Sequence, residues 1–537
     1  FGSYKSYHVF GTYTDFFGAF WHQHNVGMGR FAYRSEKPGK KIWIWGLSQQ
    51  GMIWDKLLTD TDGQYVEVQS GRLFNQSAEA STFTPFKHRG FAPGVTDTWT
   101  EYWFPVVGTK GFVHANPNAA LNLQTRRGWL KMLLSPLQTT TAPLTVRDGN
   151  KVIYEKTVTL TPLKKFEDSV RWDGDIRSLT VQLGDHLLDY KADPAADTLS
   201  RPLQTPADFD WNTVYGLYLQ GKENLRQRFY GPAEEKLREC LAKDPNYLPA
   251  LTDLAMLLYR NLRDQEALAL AKRALAIDTY DGGANYYYGL IQARLGRDTD
   301  ARDGFDMATA SAEFRSAAFT ELARINLRRG EVTRALHDAT EALKSNVDNT
   351  DALLLKAVAY RRSGEQTRAT QTLQRLEEVN PLHHALRFER WRWQPTTANK
   401  QEFSDIIRNE MPQETYLTLA DWYLAVGAND DAMEILNTAP AHPEVHYWRA
   451  WLKDQQLKGS GRSEWEAGNN LSPDLVFPFR ARSATVLQWV ATQTDRWEPR
   501  YYLALIHGSR NNRTAALQWL REAGTPAYSG FYAALAA

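Results

Sequence analysis

The feature that most constrains this chain is a ladder of five alanines that stand 34 residues apart. Two further ladders keep this spacing, with small residues twelve positions before each alanine and mostly small residues seven positions after it. Small side chains are needed where helices cross closely, so a period of this length predicts stacked helical pairs over about half of the chain. The ladders are Ala233, Ala267, Ala301, Ala335 and Ala369; Gly221, Ala255, Gly289, Ala323 and Ala357; and Cys240, Ala274, Ala308, Ala342 and Leu376.

Each repeat is predicted to contain two helices. In the first repeat one helix ends near Gly221, the second runs through Ala233, and Asp244-Pro245 closes the turn before the next repeat. Later repeats place a glycine between the helices, where it permits the left-handed residue that ends the first helix. Over residues 214–383 these features resemble tetratricopeptide repeats. The glycines are Gly296, Gly330 and Gly364.

The rest of the chain is predicted to continue the solenoid. Two outlying units resemble the same repeat, Ala420 with Ala432 and Ala504 with Ala516, each pair twelve residues apart. The Trp-rich stretch 442–494 loses the register, which indicates irregular helical pairs. The tail Phe531–Ala537 is short and apolar, and its pattern does not favour a capping helix. We expect repeats over 206–395 and irregular pairs over 396–537, with a protein partner or a second copy of the chain bound by the solenoid.

Composition excludes several classes of partner. The 63 basic and 62 acidic residues give a net charge of +1, and no Lys or Arg cluster favours nucleic acid or an acidic membrane surface. The only cysteine, Cys240, cannot form an intrachain disulfide, which favours a reducing compartment. No apolar run approaches the roughly 20 residues of a membrane span. We therefore expect a soluble, cytoplasmic protein.

From Ser6 to about Tyr190 the pattern changes to alternation with a period of two, which predicts an all-β region. We expect a β domain over 1–117, then a small accessory β-sandwich and a Pro-rich linker over 118–205. The chain begins inside strand-like sequence, so we expect part of the β domain to lie upstream of Phe1. Predicted strands include Lys41–Trp45, Gln64–Ser70, Trp99–Val106 and Val152–Leu160.

Two of these strands carry a candidate carbohydrate site. One has a polar face that includes Glu67, and the other places Glu101 on the same side as Trp99 and Trp103. Indole faces stack on the apolar C–H face of a pyranose, while carboxylates and amides bind its hydroxyls, so this pattern favours a carbohydrate ligand. The predicted catalytic residues are Glu101 and Glu67, and the predicted substrate-binding residues are His22, His24, Tyr65, Gln69, Arg72, Gln76, Trp99 and Trp103.

The same residues have ordinary structural roles. A glutamate on an outward strand face is usually solvated, and an indole often belongs to a core. The structural role of Arg72 would be an ion pair with a neighbouring carboxylate. His22 and His24 would face one side of a strand, but two histidines without a third ligand do not indicate a metal. The sequence has no phosphate loop, nucleophile elbow or zinc spacing, and we predict no cofactor and no metal.

Three long motifs resemble a known family. The block Gly39–Gly46 and the runs Leu57–Gln76 and Trp99–Pro105 resemble bacterial proteins in which a domain of unknown function precedes tetratricopeptide repeats. The resemblance implies a galactose-mutarotase-like β-supersandwich, of which this chain holds the C-terminal part. It further implies a multidomain β and α protein, with the small sandwich and then the all-α solenoid after the supersandwich.

A second resemblance is to the aldose 1-epimerases. Gly63–Gly71 is similar to their strand of the form G-x-Q-x-Y-T-G-N, and Glu101 followed by Pro105 is similar to the strand of their catalytic glutamate. The resemblance implies that Glu101 is a general base and that His22 or His24 is one of two histidine partners. Glu67 departs from this pattern, which has no acidic residue there.

Three functions stay open at this point. Two glutamates in one β-cleft favour a glycosidase, with Glu101 as base or nucleophile and Glu67 as acid. An anomerase of the epimerase type needs one glutamate together with histidines. A non-enzymatic protein would bind a glycan through the β domain and recruit a protein through the solenoid.

Overall fold

A computed structural model describes residues 2–76 and 78–536. The chain divides into two compact units, Phe1–Arg89 with Asp97–Phe209, and Gly90–Thr96 with Asp210–Ala537. Nearly all regular structure of the first unit is β-strand, and that of the second is α-helix. The predicted order, a β-rich region before a helical solenoid, is confirmed.

The first unit has fourteen strands among its described residues. It also has three short 3-10 helices there and one α-helix, α1 (Gln49–Leu58), inside the region predicted to be all-β. Ser48 caps this helix, because its side chain accepts a hydrogen bond from the backbone N–H of Gly51 at 3.4 Å. The strands are β1 Tyr4–His8, β2 Phe16–Trp21, β3 Val26–Phe31, β4 Gly39–Trp45, β5 Val66–Gly71, β6 Tyr102–Val107, β7 His114–Ala115, β8 Ala119–Arg126, β9 Trp129–Pro136, β10 Thr140–Asp148, β11 Lys151–Leu160, β12 Phe166–Arg171, β13 Leu179–Leu183 and β14 Leu188–Lys191.

Strands β1–β6 form two antiparallel sheets of three strands each, in the orders β1-β4-β5 and β2-β3-β6. In the second sheet Phe31, Phe104 and Val106 face an apolar core. Gly29 lies on that face, where a Cβ would stand 2.3 Å from the ring of Phe104. One face of this sheet is therefore closed by packing, and the opposite face carries Phe17, Arg30 and Trp103.

Strands β7–β14 form a small sandwich of two antiparallel sheets, in the orders β12-β9-β8-β7 and β11-β10-β13-β14. Its buried core is drawn from residues 119–188. The boundary expected between residues 117 and 118 falls in the turn that joins β7 to β8. The sheets of the sandwich thus begin at β7, slightly before the predicted start.

The second unit has twenty helices among its described residues. In this described part of the chain, no helix is long and apolar enough to cross a membrane. The helices are α2 Val214–Arg226, α3 Tyr230–Lys243, α4 Leu248–Arg260, α5 Asp264–Ile277, α6 Gly282–Arg294, α7 Asp298–Ala308, α8 Arg315–Arg328, α9 Val332–Ser345, α10 Thr350–Arg362, α11 Gln366–Val379, α12 His384–Trp393, α13 Thr397–Asp405, α14 Pro412–Ala425, α15 Asn429–Thr438, α16 Pro443–Gln456, α17 Arg462–Asn469, α18 Ala481–Gln493, α19 Glu498–Gly508, α20 Arg513–Ala523 and α21 Ser529–Ala536.

The predicted ladders form the contacts inside the helical pairs. All five alanines of the first ladder are buried. Gly289 on α6 shows why small residues recur, because a Cβ there would lie 2.7 Å from the ring of Phe305 on α7. A small residue on the first helix makes room for a large one on the second.

The loops inside the pairs contain the predicted left-handed residue. Gly296, Gly330 and Gly364 have φ angles of +74°, +77° and +73°. Arg228 and Leu262 hold the same position in the first two pairs, with φ angles of +66° and +60°. Residues other than glycine rarely adopt this backbone conformation, so the surrounding structure must hold these two turns in place.

A further ladder, of arginines, ends the first helix of each of the first five pairs. Arg294 donates to the carbonyl of Tyr259 at 2.6 Å and to Asp264 at 2.9 Å. Arg362 donates to the carbonyl of Leu327 at 2.9 Å. Each of these two side chains satisfies a carbonyl at the C-terminal end of the preceding first helix and so joins neighbouring pairs. The ladder is Arg226, Arg260, Arg294, Arg328 and Arg362.

The first helices of successive pairs contact one another and line the inner face of the solenoid. The later helices cover part of this inner face. Helix α14 lies against α8, and Trp422 on α14 donates from Nε1 to Asp351 on α10 at 3.1 Å. Arg362 donates to the carbonyl of Val426 at 3.1 Å. At these repeats the groove in which a solenoid commonly holds a peptide is occupied by the chain itself.

The end of the described chain differs from expectation. Phe531 on α21 is buried, and its ring lies 6.5 Å from that of Trp497 and 6.1 Å from that of Tyr501. The short apolar tail, whose pattern did not favour a cap, thus packs on α19. The tail packs there because it is apolar, so that Phe531 covers the rings of Trp497 and Tyr501 at the end of the repeats.

Candidate functional site

The open face of the sheet β2-β3-β6 carries a row of three side chains, Phe17, Arg30 and Trp103, which lie directly opposite one another in the strand register. Arg30 is 0% exposed. The rings of Phe17 and Trp103 meet edge to face with centroids 6.5 Å apart, although β3 lies between their strands. The two rings therefore close over Arg30.

Glu101 is held beside this row. Its Oε2 accepts hydrogen bonds from Arg30 Nε at 3.1 Å and from Ser70 Oγ at 2.7 Å. Partial burial raises the pKa of Glu101, but the hydrogen bonds from Ser70 and Arg30 outweigh it and hold this pKa below its ordinary value. At neutral pH Glu101 is an ionised acceptor of fixed position, and its side chain is 24% exposed. We call Arg30, Ser70 and Glu101 the Glu101 cluster.

Positive charge is in excess around the Glu101 cluster. Arg30 Nη1 and Nη2 are buried without a hydrogen-bond partner among the described residues. Lys37 is buried, and its Nζ lies 3.7 Å from the centre of the Trp99 indole. Lys40 is also buried and donates to the carbonyl of Thr14 at 2.6 Å, and burial lowers the pKa of its ammonium group to about 8. Glu101 thus lies among several buried cations, and Asp15 and Asp97 are the further carboxylates that act on them.

Glu67 does not share this site. Ser70 faces Glu101 across the space between the sheets, and residues 67 and 70 of a regular strand point to opposite sides. The register places Trp43 opposite Glu67 and Lys40 opposite Ser70, which agrees with this assignment. The prediction that the two glutamates lie in one cleft is therefore wrong.

Three of the remaining predicted polar residues, Tyr65, Gln69 and Gln76, gather around Glu67 on the outer face of the sheet β1-β4-β5. Gln69 donates to Glu67, and Lys41 donates to Gln76. Tyr4 stacks on Trp43 there, with ring centroids 4.1 Å apart. Tyr65 also belongs to this group, because burial raises the pKa of its phenol and the neighbouring Glu67 carboxylate raises it further. These residues form a second polar and aromatic patch, separate from the Glu101 cluster.

The two predicted platforms have different surroundings. Trp99 and Glu101 precede β6, which begins at Tyr102, so the prediction that a single strand aligns Trp99, Glu101 and Trp103 is wrong. Trp99 and Trp103 are each 43% exposed. Lys37 covers one face of Trp99, whereas Trp103 belongs to the row over Arg30. Trp103 is thus the better placed of the two to stack on a ligand beside Glu101.

Arg72 is engaged by the protein itself. Its Nε lies 2.7 Å from Asp97, and its Nη1 donates to the carbonyls of Ser35 at 3.0 Å and Glu36 at 2.7 Å. This arginine fastens a loop next to Lys37. Its geometry is that of a positioning residue, with fewer donors left for a ligand.

His22 and His24 lie in the exposed turn that joins β2 to β3, not on a strand as expected. The turn precedes Val26, four residues before Arg30, which places it about 14 Å away along the strand. Neither histidine reaches Glu101 from there. Among residues 2–76 and 78–536, no group of three His, Cys, Asp or Glu side chains is arranged to hold a metal ion.

Arg30, Ser70 and Lys37 are the site residues that sequence reasoning missed. Arg30 had a usable signal, since a charged residue in the segment Val26–Phe31 lies on the face opposite Gly27 and Gly29. Ser70 and Lys37 had none, because their role depends on how two sheets meet.

Comparison with known proteins matches two parts of the chain. Residues 1–106 match the model of a domain of unknown function, DUF5107, and residues 320–383 match the model of a tetratricopeptide repeat.

Several solved structures are similar to part of the helical unit. A tetratricopeptide repeat protein from Parabacteroides merdae is 16% identical, with 55% of this chain and 98% of that chain covered and a TM-score of 0.32. PilF of Pseudomonas aeruginosa is 15% identical, with 47% and 95% covered and a TM-score of 0.31. YrrB, described as a TPR protein with an unusual peptide-binding site, is 16% identical, with 33% and 90% covered and a TM-score of 0.29. The match to the repeat model confirms that the helical unit contains tetratricopeptide repeats, and the match over residues 1–106 spans every member of the Glu101 cluster.

Proposed function

We propose that this protein binds a carbohydrate through the Glu101 cluster and a protein partner through its repeats, without catalysing a reaction. The observation that carries the carbohydrate part is the fixed, ionised Glu101 beside the exposed indole of Trp103. We also assign the β domain to the mutarotase-like supersandwiches, on the motifs Gly39–Gly46 and Trp99–Pro105. Accessory domains of this shape supply a ligand site without chemistry of their own.

The chemistry of the Glu101 cluster suits hydroxyl groups. An ionised carboxylate accepts hydrogen bonds and donates none, so Glu101 would take two sugar hydroxyls while Arg30 and Ser70 fix its position. The indole of Trp103 would stack on the C–H face of the ring. Hydrogen bonds to a charged acceptor are about twice as strong as those between neutral groups, which favours a specific orientation.

The same geometry argues against the two enzymatic alternatives. A glycosidase needs a second carboxyl group within about 5 to 9.5 Å, and Glu67 lies on the other side of β5. An epimerase needs histidines beside its glutamate, and His22 and His24 lie in a turn about 14 Å along the strand from Arg30. A lowered pKa also makes Glu101 a weak base.

Isothermal titration calorimetry of the full-length protein against a panel of mono- and disaccharides tests the carbohydrate site. We expect one sugar class to bind, and we expect Trp103→Ala and Glu101→Gln each to weaken that binding at least tenfold. Glu67→Gln is the matched control, since it makes the same chemical change on the opposite face of β5. Absence of binding across the panel, or equal losses with Glu67→Gln, would refute the site.

The protein-binding part rests on the tetratricopeptide match over residues 320–383. Stacked repeats present extended surfaces that bind peptides and proteins. Sedimentation velocity at several protein concentrations separates the two kinds of partner. A sedimentation coefficient that rises with concentration identifies a second copy of the chain, and a constant one points to a different protein.

A further inference from the structure

A groove of about 430 Å³ opens on the outer side of α9, α10 and α11. Leu343, Leu353 and Tyr360 give it an apolar lining, and Val347 at its edge is 62% exposed. The remaining lining is polar and positively charged. It consists of Lys356, Arg368, Gln371, Thr372 and Arg375.

The charge of Lys356 is new at its position of the repeat, which holds an uncharged residue in the four preceding repeats. Lys356 stands 34 residues after Leu322 and 102 after Leu254, both of which are buried, and the repeat between those two has Tyr288 at this position. Those leucines fill the space between the helices of their own repeats. At α10 a lysine occupies this position and brings a charge into the groove.

Lys356 is the one cation of the groove without a partner among the described residues. Arg368 pairs with Glu365 at 2.7 Å, and Arg375 pairs with Asp348 at 2.6 Å. The structure gives no hydrogen bond or ion pair for Lys356, and burial alone lowers the pKa of its ammonium group. A half-buried charge without an opposing carboxylate is costly, and an incoming carboxylate would relieve that cost.

The inner face of the solenoid is not available at this repeat. Leu354, Leu355 and Val358 on α10 are buried, and Trp422 and Val426 contact its two ends. A partner that uses this repeat must therefore approach from the outer side, where the groove lies.

We infer that this groove binds a peptide segment of a partner protein, and that the segment places a carboxylate on Lys356 and an aliphatic or aromatic side chain against Val347 and Leu353. The inference rests on the proposed protein-binding role of the repeats and adds the site and the chemistry of the partner. It is independent of the Glu101 cluster.

Selection from a random twelve-residue peptide phage library against the full-length protein tests the inference. We expect the selected peptides to be enriched in Asp or Glu next to a large apolar residue. Synthetic copies should then bind the protein in fluorescence anisotropy, and Lys356→Glu should weaken their binding at least tenfold.

Two further variants make the test specific. Lys356→Leu introduces the residue of the preceding repeat, Leu322, so it should fill the groove, raise the Tm and abolish binding of the acidic peptides. Lys344→Leu is the matched control, because Lys344 lies on α9 outside the groove with its side chain 65% exposed, and it should leave binding unchanged. Circular dichroism shows whether each variant folds. If Lys356→Glu fails to fold, Lys356→Leu still tests the site.

The outcomes separate the site from the general role. Peptides that bind Lys356→Leu as tightly as the wild type would overturn this groove as the site and leave the repeats as a peptide-binding unit. A selection that yields peptides without the acidic and apolar pattern would overturn the inference. A selection that yields no peptides at all would overturn the inference and also contradict the proposed role of the repeats.

Discussion

Arg361 and Glu389 form a two-pronged ion pair in the interior of the helical unit, with Nε to Oε2 at 2.7 Å and Nη2 to Oε1 at 3.0 Å. Glu389 is 0% exposed. It also accepts a hydrogen bond from Tyr423 Oη at 2.6 Å, and Arg361 pairs with Asp431 at 2.6 Å. Four helices, α10, α12, α14 and α15, thus meet at one charged network.

Glu389→Gln should lower the free energy of unfolding by about 3 kcal/mol, because it removes the two-pronged carboxylate partner of the buried Arg361 and leaves Asp431 to pair with it. Urea denaturation measures this change. Glu378→Gln is the control, since Glu378 is an exposed partner of Arg375 and its loss should change stability by less than about 1 kcal/mol. Equal effects of the two variants would contradict a structural role of the network.

Glu444 should make the protein less stable as the pH rises from about 4.5 to about 7. Burial raises the pKa of Glu444 to about 7, and its Oε2 has no hydrogen-bond partner among the described residues. In this range the unfolded chain has already released the proton that the folded chain keeps, so stability falls by about 1.4 kcal/mol per pH unit. Glu444→Gln should remove this dependence, as urea unfolding at pH 5, 6, 7 and 8 would measure.

His442, two residues away, has the opposite effect at lower pH. Burial lowers the pKa of His442 to about 4, so its stabilising contribution is lost as the pH falls below about 6.5. Near Glu444 lie Glu414 and Arg480, and His446 lies near His442. The difference between wild type and Glu444→Gln cancels these common contributions. A difference that stays constant between pH 5 and pH 8 would contradict the buried, protonated Glu444.

Gly289→Ala should destabilise the protein by about 1 to 3 kcal/mol, because the new methyl group would lie 2.7 Å from the Phe305 ring. Adding Phe305→Leu should recover part of this loss. The double variant copies the pair Ala357 and Leu373, which occupies the same two positions in α10 and α11. Thermal unfolding of the single and double variants measures the coupling, and additive effects would show that the two residues do not interact.

Cys240 should be unreactive in the folded protein. Burial raises the pKa of its thiol to about 11, and its Sγ donates to the carbonyl of Val214 at 3.3 Å. Since the sequence has one cysteine, a thiol reagent such as DTNB at pH 8 reports on this residue alone. We expect reaction only in denaturant, and rapid labelling of the native protein would show that the first repeat opens readily.

The helical pairs were predictable because each contact lies within one repeat. Gly289 on α6 and Ala301 on α7 are twelve residues apart and lie where these two helices cross. The same crossing recurs every 34 residues, so the sequence period corresponds to a structural repeat. The arginine ladder has the same 34-residue spacing, and it too was visible in the sequence.

The Glu101 cluster was only half predictable. Alternation along β5 indicates that Glu67 and Ser70 point to opposite sides, but it does not indicate which side meets Glu101. That choice depends on how the sheet of β5 faces the sheet that contains Arg30. Ser70 meets Glu101 and Arg30 there, although Arg30 is 40 residues and Glu101 is 31 residues away from Ser70 along the chain. Long-range pairing of sheets leaves no periodic signal, which is why the paired glutamates were misplaced.

The self-contacts of the helical unit fix how many repeats it can have. Arg362 meets Val426 from 64 positions away, and Arg510 donates to the carbonyl of Arg260 from 250 positions away. An open array, in which each repeat touches only its neighbours, gains or loses a unit by duplication or deletion with little loss of structure. Here a deletion of 34 residues between these partners would shift each of them onto a different repeat. Loss or gain of a repeat between these partners would therefore break the contacts that join distant parts of the unit, whereas substitution within a repeat would leave them in place.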